Sequence, residues 1–200
     1  MGLQNTNTSA MILIIDVGYT AIYKLEDLVD QYIDFKTIPI FDINIEELKE
    51  LKPKGIIISH AHFSIHEQDY SKFTEVLQPL LELNLPMLGI GVGQHLLGVC
   101  YGASPGYAPY RHDLVEIGIL EDDELLDKLP DVFEMIKDNA GTVSIPPKFK
   151  LLANSDYSIN EVMRKEDAPV YGVQFLLENS GNYGGIIMDN FVNILTKEES

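Results

Sequence analysis

Only one cysteine, Cys100, occurs among the 200 residues of the chain. A single thiol cannot form an internal disulfide, and on its own it cannot build a thiolate zinc site. Long apolar runs are missing too, since stretches such as residues 55–58 and 87–90 are far below the roughly 18 residues that a membrane span requires. The first basic residue is Lys24, so the apolar stretch at residues 11–15 lacks the positive region of a signal peptide. These absences predict a soluble protein of the reducing cytoplasm.

Basic residues are also few. Counting 14 Lys and Arg against 31 Asp and Glu gives a formal net charge of −17. Nucleic acids and anionic bilayers are bound by basic surfaces, because these neutralise phosphate charge. The charge balance therefore predicts that neither a nucleic acid nor a membrane is a partner.

The rest of the composition is that of an ordinary globular domain. A hydrophobic fraction of 46% and a charged fraction of 22% argue against disorder, and the length fits one core. Residues 1–10 are polar and without periodicity, so they are predicted to be a flexible leader. A single domain is predicted for residues 11–200, because no linker divides it.

Short apolar runs alternate with amphipathic segments along the first half of the chain. The runs are too uniformly apolar to have a face in water, which favours strands of a sheet covered on both sides. Alternating strands and helices predict a parallel, doubly wound α/β sheet, since parallel neighbours need crossover helices. The predicted strands are residues 11–15, 37–41, 55–58, 87–90, 114–120, 149–153 and 170–175; the predicted helices are residues 21–33, 45–51, 70–83 and 183–195.

A glycine-rich turn follows the fourth apolar run. The sequence LGIGVGQH at residues 88–95 leaves a strand and enters a helix predicted at residues 94–100. The nucleophile elbow of α/β hydrolases projects its central side chain from such a turn at a helix N-terminus, but here the central residue is Gly91. A phosphate-binding turn is a second interpretation, although Gln94 replaces the third glycine of the dinucleotide fingerprint. A purely structural turn is the third, and no cofactor is predicted.

Six blocks of sequence, in the same order, resemble the class I glutamine amidotransferases, and most closely the glutaminase subunits of GMP synthetase. The blocks are ILIID at residues 12–16, PKGIIIS at 53–59, LPMLGIGVG at 85–93, FKLLANSD at 149–156, VYGVQF at 170–175 with Glu178, and YGG at 183–185. The resemblance implies a three-layer α/β/α sandwich of flavodoxin-like type around a mostly parallel, partly mixed sheet. It also implies hydrolysis of the glutamine side-chain amide through a cysteine thioester, with ammonia released for a partner synthase.

The residues that this chemistry needs are replaced. By the resemblance, Gly91 stands in place of the cysteine and Leu176 in place of the histidine, so that only Glu178 of the triad is kept. The family's Trp-x-Ser-His-x-Asp stretch corresponds to residues 135–140, which contain neither tryptophan nor histidine. Cys100 lies among apolar neighbours beyond the turn and is predicted to be an inert core thiol. The oxyanion loop, Ser-Gly-Gly-Pro in the family, reads Ser59, His60, Ala61, His62.

Histidines gather around the vacated site. His60, His62 and His95 are candidate ligands of zinc, nickel or iron, and solvated loop histidines without a ligand are the other interpretation. The residues predicted to line the former pocket are Ser59, His60, Ala61, His62, Gly89, Gly91, Val92, Gln94 and His95.

The sequence thus predicts a glutamine amidotransferase-like protein without glutaminase activity, which binds a ligand, regulates, or docks to a synthase-like protein or a second copy of itself. Two alternatives stay open. One is an enzyme of another class that uses a metal or acid–base site at His60, His62 and His95. The other is an amidotransferase of the GMP synthetase type. A pocket that still binds an amino acid or small carboxylate without cleaving it is a further hypothesis.

Overall fold

A computed structural model describes residues 10–197, so the predicted leader lies outside the described residues apart from Ala10. Strands and helices alternate through the first half, as the periodicity predicts. The elements are β1 (Met11–Asp16), α1 (Ile22–Val29), β2 (Asp34–Pro39), α2 (Ile45–Leu51), β3 (Gly55–Ile58), α3 (Ser71–Leu81), β4 (Met87–Ile90) and α4 (Val92–Cys100).

The second half contains most of the antiparallel strands. Its elements are β5 (Pro105–Gly106), β6 (Arg111–Ile119), β7 (Val132–Asn139), β8 (Thr142–Val143), β9 (Phe149–Asn154), β10 (Val162–Lys165), β11 (Val170–Val173) and α5 (Gly181–Lys197). Three short 3-10 turns, Ile40–Asp42, Glu124–Leu126 and Leu177–Asn179, complete the described residues.

Nine strands form one sheet in the order β2-β1-β3-β4-β11-β10-β9-β6-β7. The five strands from β2 to β11 are parallel, whereas β10, β9, β6 and β7 pair antiparallel with their neighbours. The short strands β5 and β8 pair separately.

Helices cover both faces of this sheet. In β1, Ile12 and Ile14 pack into a core with α1 and α5, while Leu13 and Ile15 pack into a second core with α2, α3 and α4. Successive side chains of a strand point to opposite faces, so both faces of the strand must be covered, as its apolar sequence predicts. The three-layer α/β/α fold with a partly mixed sheet is therefore confirmed.

Several predicted boundaries differ from the structure. The sequence predicts the second strand at residues 37–41, but the strand occupies Asp34–Pro39, because its register with β1 starts at Asp34. Residues 40–42 form a 3-10 turn instead. The first helix ends at Val29 and not at residue 33, and α4 begins at Val92 and not at residue 94.

Strands β7 and β10 are absent from the sequence-based prediction. In β7, exposed or half-buried residues alternate with buried ones, from Val132 at the solvent to Phe133 in the core. A strand with one wet face has no continuous apolar run, and the buried Lys137 on its inner face further obscures the pattern. Within residues 10–197, no helix has the length and apolar composition needed to cross a membrane.

Candidate active-site remnant at the elbow

The site lies at the carboxyl edge of the parallel strands. The ends of β1, β3, β4 and β11 meet there because parallel strands share their direction, and ligands of open α/β sheets bind at this edge. Gly91 follows β4, and Ser59 and His60 follow β3. The sheet thus brings the elbow and the oxyanion-loop segment to one place.

Gly91 forms a sharp turn between β4 and α4. Its backbone has φ 57° and ψ −116° and acts as the N-cap of the helix, while its N–H donates to the Val173 carbonyl at 2.8 Å. A positive φ is the strained conformation of a nucleophile elbow. The backbone therefore makes the sharp turn that the elbow interpretation predicts, and the turn carries no side chain at its centre.

His60 occupies the space in front of Gly91. A Cβ atom added at Gly91 would lie 2.5 Å from His60 Nδ1 and 3.1 Å from Cγ, closer than real Cβ contacts come. The imidazole is fully buried, and its Nδ1 accepts a hydrogen bond from the Val92 N–H at 3.3 Å. The region in which an elbow nucleophile would stand is filled by a neighbouring loop.

The His60 ring is neutral at physiological pH. Burial, and then the nearby His62, lowers its pKa to about 4, although Asp138 opposes the shift. Because Nδ1 accepts the bond from Val92, the single proton of the neutral ring lies on Nε2. Within the described residues, Nε2 is buried and makes no hydrogen bond of good geometry.

The loop that carries His60 is tied to β1 through Ser59. The Ser59 hydroxyl accepts from the Val17 N–H at 3.1 Å and donates to the His60 carbonyl at 3.0 Å. Asp16 Oδ1 accepts from the Tyr19 N–H at 2.8 Å, which helps to set the Tyr19 ring 5.1 Å from the ring of His60. These contacts hold His60 in front of the elbow.

The two other positions of the triad lie after β11. Leu176 is fully buried, and its N–H donates to the Ile136 carbonyl at 2.8 Å. Both carboxylate oxygens of Glu178 are buried without a hydrogen bond of good geometry. Burial raises the pKa of Glu178, while its own backbone N–H and the Tyr19 hydroxyl oppose the shift. Glu178 thus faces a phenol and has no imidazole to orient.

Most of the residues predicted to line the pocket are packed in the interior of the protein. Eight of the nine are buried, and only His62 is exposed. Gly93 packs so closely on β3 that a Cβ there would lie 2.2 Å from the Ile58 carbonyl oxygen. Gln94 points away toward Asn160, to whose carbonyl its side-chain amide donates at 3.2 Å.

His95 is separated from the other two candidate histidines in the predicted metal set. It is fully buried in α4, neither ring nitrogen has a hydrogen bond within the described residues, and burial with the nearby Lys137 charge lowers its pKa to about 3. Among residues 10–197, the group whose potential ligand atoms all lie within 4.8 Å of one another consists of His60, His62 and Asp138. His95 is outside this group because α4 turns it into the core, whereas β7 brings Asp138 to the rim.

Asp138 and Tyr19 are the site residues that sequence reasoning missed. Asp138 lies in β7, whose strand pattern is concealed by alternating polar residues. Tyr19 follows the sequence Asp16-Val17-Gly18, which is typical of a turn. In the structure, Asp16 Oδ1 accepts hydrogen bonds from the N–H groups of Gly18 and Tyr19. This turn signal could have placed Tyr19 near the end of the strand.

Cys100 offers no alternative nucleophile. It lies at the end of α4, and burial raises the pKa of its thiol to about 11. A thiol that stays protonated at neutral pH is a poor nucleophile.

Comparison with known proteins identifies the family of this fold. The family described as "Glutamine amidotransferase class-I" matches residues 13–194. The chain belongs to this family. Among curated members, a glutamine-hydrolyzing GMP synthase subunit from Pyrococcus furiosus is 34% identical over 188 residues, covering 92% of this chain and 98% of that protein. The subunit of the same name from Thermococcus kodakarensis is 33% identical over 191 residues with the same coverage.

Solved structures of similar proteins share the fold. One from Thermoplasma acidophilum, described as a putative GMP synthase subunit, superposes with a TM-score of 0.86 at 22% identity, covering 96% of each chain. A glutamine amidotransferase from Thermotoga maritima gives a TM-score of 0.71 at 16% identity over 95% of this chain and 85% of that one.

Proposed function

We propose that this chain is a non-catalytic member of the glutamine amidotransferases, whose retained fold docks to a synthase of the GMP synthase kind. One observation carries the proposal: the nucleophile position is a glycine, and the space in front of it is filled by His60.

Amide hydrolysis by this family requires a nucleophile, a base and an orienting carboxylate, as its resemblance to other triad enzymes implies. Position 91 supplies no side chain, and Leu176 supplies no proton acceptor. Loss of one triad member already removes orders of magnitude in rate, and further losses add little because the members act as a unit. The pair of replacements therefore supports the proposal that this chain does not carry out thioester chemistry.

The backbone N–H that would stabilise an oxyanion already donates a hydrogen bond within the protein. In an elbow, the N–H of the residue after the nucleophile stabilises the tetrahedral oxyanion. Here that group is the Val92 N–H, and it donates to His60 Nδ1. A substrate carbonyl would have to displace a buried imidazole before it could reach this donor.

The docking role rests on the relatives. The curated ones named above are GMP synthase subunits, and the match covers 98% of the Pyrococcus furiosus protein. The surface that such a protein presents to a partner therefore has a counterpart along this chain. A fold held by its own packing keeps that surface without needing the catalytic residues.

Glutamine hydrolysis tests the first half of the proposal. Purified protein is incubated with glutamine, first by itself and then with the cognate synthase, and glutamate is measured; the Pyrococcus furiosus relative is the positive control. We expect no glutamate above the blank, and no covalent labelling of Cys100 by a thiol-reactive glutamine analogue. Turnover that follows the protein through purification and disappears in Cys100→Ser would contradict the proposal.

Docking is tested separately. Size-exclusion chromatography with light scattering should show a complex between this chain and the cognate synthase. A mixture that elutes as two separate species at micromolar concentrations would refute the docking role and leave the loss of catalysis unaffected.

A further inference from the structure

A cluster of three metal-ligand side chains lies beside the elbow. One ligand atom each from His60, His62 and Asp138 lies within 4.8 Å of the others. Ligand atoms around a tetrahedral zinc ion, with bonds of about 2.0–2.1 Å, are about 3.3 Å apart. His62 is exposed, so its side chain can move by the roughly 1.5 Å that separates the two distances.

The chemistry of the three side chains fits a zinc ion. Two imidazoles and one carboxylate form a ligand set that suits zinc. His60 is the buried member of the cluster, His62 is exposed and Asp138 is half-buried. Two of the three ligands can therefore be reached from solvent.

His60 has a buried nitrogen that lacks a good partner. Within the described residues, its Nε2 is fully buried and makes no hydrogen bond of good geometry, although the Asp138 backbone influences the ring. Such nitrogens are rare because an unmade buried hydrogen bond leaves the desolvation of the group uncompensated. While the proton is on Nε2 this group needs an acceptor, and once the proton is on Nδ1 the lone pair of Nε2 can bind a cation.

Coordination by Nε2 changes the tautomer of His60. The proton must move from Nε2 to Nδ1, and the 3.3 Å bond from the Val92 N–H is lost. This exchange releases no proton to solvent, and the lost bond reduces the zinc affinity by about fivefold, as expected for a hydrogen bond of average strength. The Val92 N–H and the cation therefore compete for the His60 ring.

Neighbouring groups orient the carboxylate. Asp138 Oδ1 accepts from the Tyr110 hydroxyl at 2.5 Å, and His112 Nδ1 lies 3.1 Å from the same oxygen. Such outer partners fix a metal ligand in one direction and increase affinity. Oδ2 remains for a cation.

We propose that His60, His62 and Asp138 bind one zinc ion per chain, with a coordination position left open to solvent. The inference does not depend on whether glutaminase activity is absent. It replaces the sequence-based set, in which His95 was the third ligand.

Zinc titration of the untagged protein, by competition with a chromophoric chelator at neutral pH, tests the site. We expect a stoichiometry of one, and a loss of at least about tenfold in affinity in His62→Ala and in Asp138→Asn. His66→Ala, in the same loop but outside the cluster, and His95→Leu should bind as the parent protein does. Cobalt substitution should give the visible absorption bands of a tetrahedral site.

His62 and His66 are both exposed, so their substitution leaves the core intact, and melting temperatures of the metal-free variants check this. No saturable binding, or equal affinity in His62→Ala and His66→Ala, would overturn the proposal. A loss of zinc in His95→Leu, with His62→Ala unaffected, would also overturn it.

Discussion

Two clusters of buried polar side chains lie close together in this protein and are stabilised in different ways. In the antiparallel half, Lys137 Nζ and Glu161 Oε1 form a buried ion pair at 2.7 Å, and the Ser155 hydroxyl donates to the same oxygen at 2.5 Å. At the elbow, His60 and His95 are buried with few or no hydrogen bonds. The first cluster keeps its charges by pairing them, whereas the second is kept neutral.

The clusters also influence each other. The positive charge of Lys137 adds to burial in lowering the pKa of His95. The charge of Lys137, which is paired with Glu161, therefore helps to keep the His95 ring neutral. The comparison shows two ways in which this protein buries polar groups: Lys137 and Glu161 pair opposite charges, whereas His60 and His95 stay neutral.

The largest expected effect comes from breaking the ion pair. Lys137→Met leaves the Glu161 carboxylate uncompensated in the core, and we expect the free energy of unfolding to fall by about 3–5 kcal/mol. Chemical denaturation measures this. The double variant Lys137→Met/Glu161→Leu should recover most of the loss, and additive losses would show that the pair is not energetically coupled.

Gly91→Ala tests the filled space at the elbow. The new Cβ combines a positive φ with a contact on His60, so we expect a loss of about 2–4 kcal/mol. Gly181→Ala is the matched control, because its φ is 58° and nothing lies within 4 Å of an added Cβ. Equal losses in the two variants would mean that the ring of His60 moves aside without penalty.

His95→Leu tests the neutral cluster through pH. In the folded state the pKa of His95 is lowered to about 3 from 6.5. The free energy of unfolding therefore decreases as the pH falls below 6.5, and it keeps decreasing until the pH reaches about 3. Between these values one proton contributes a slope of about 1.4 kcal/mol per pH unit. We expect the stability of His95→Leu to fall less steeply with acid by about this slope. An unchanged profile would show that His95 is protonated in the fold.

Glu178→Gln should have the smallest effect and the opposite sign. Because burial raises the pKa of Glu178, the ionised carboxylate destabilises the fold above the unfolded pKa. Removing the charge should raise the free energy of unfolding at neutral pH by about 1 kcal/mol, as expected for relief of a poorly paired buried group. The gain should vanish near pH 4, about the usual pKa of a glutamate; a loss at neutral pH would show that the Tyr19 contact stabilises the anion.

The parallel half could be predicted from sequence because its strands are continuous apolar runs. The bounds of β3, β4 and α2 agree with the prediction residue by residue. Strand β7 was missed because polar residues alternate along it and Lys137 lies buried in an ion pair that only the tertiary structure supplies. Strand β10 was missed because it has only four residues, of which the last two are Arg164 and Lys165.

Within the site, the empty nucleophile position follows from the sequence alone, since it depends only on which residue follows the strand. That His60 fills it depends on the direction of a loop side chain, which is set by Ser59 and Tyr19 through contacts distant in sequence. Asp138 was missed because it lies in β7, whose strand pattern is concealed by alternating polar residues. The glycine at position 91 could be predicted to leave the turn without a side chain, whereas the side chains that pack around it could not be predicted.

The contact between Gly91 and His60 also couples substitutions at these two positions. A cysteine at position 91 alone would drive Cβ and Sγ into an imidazole that is already in place. A smaller residue at position 60 alone would leave a cavity in the interior and remove the acceptor of the first amide of α4. Either single substitution weakens the fold, so a side chain at the centre of this turn requires a change at both positions together.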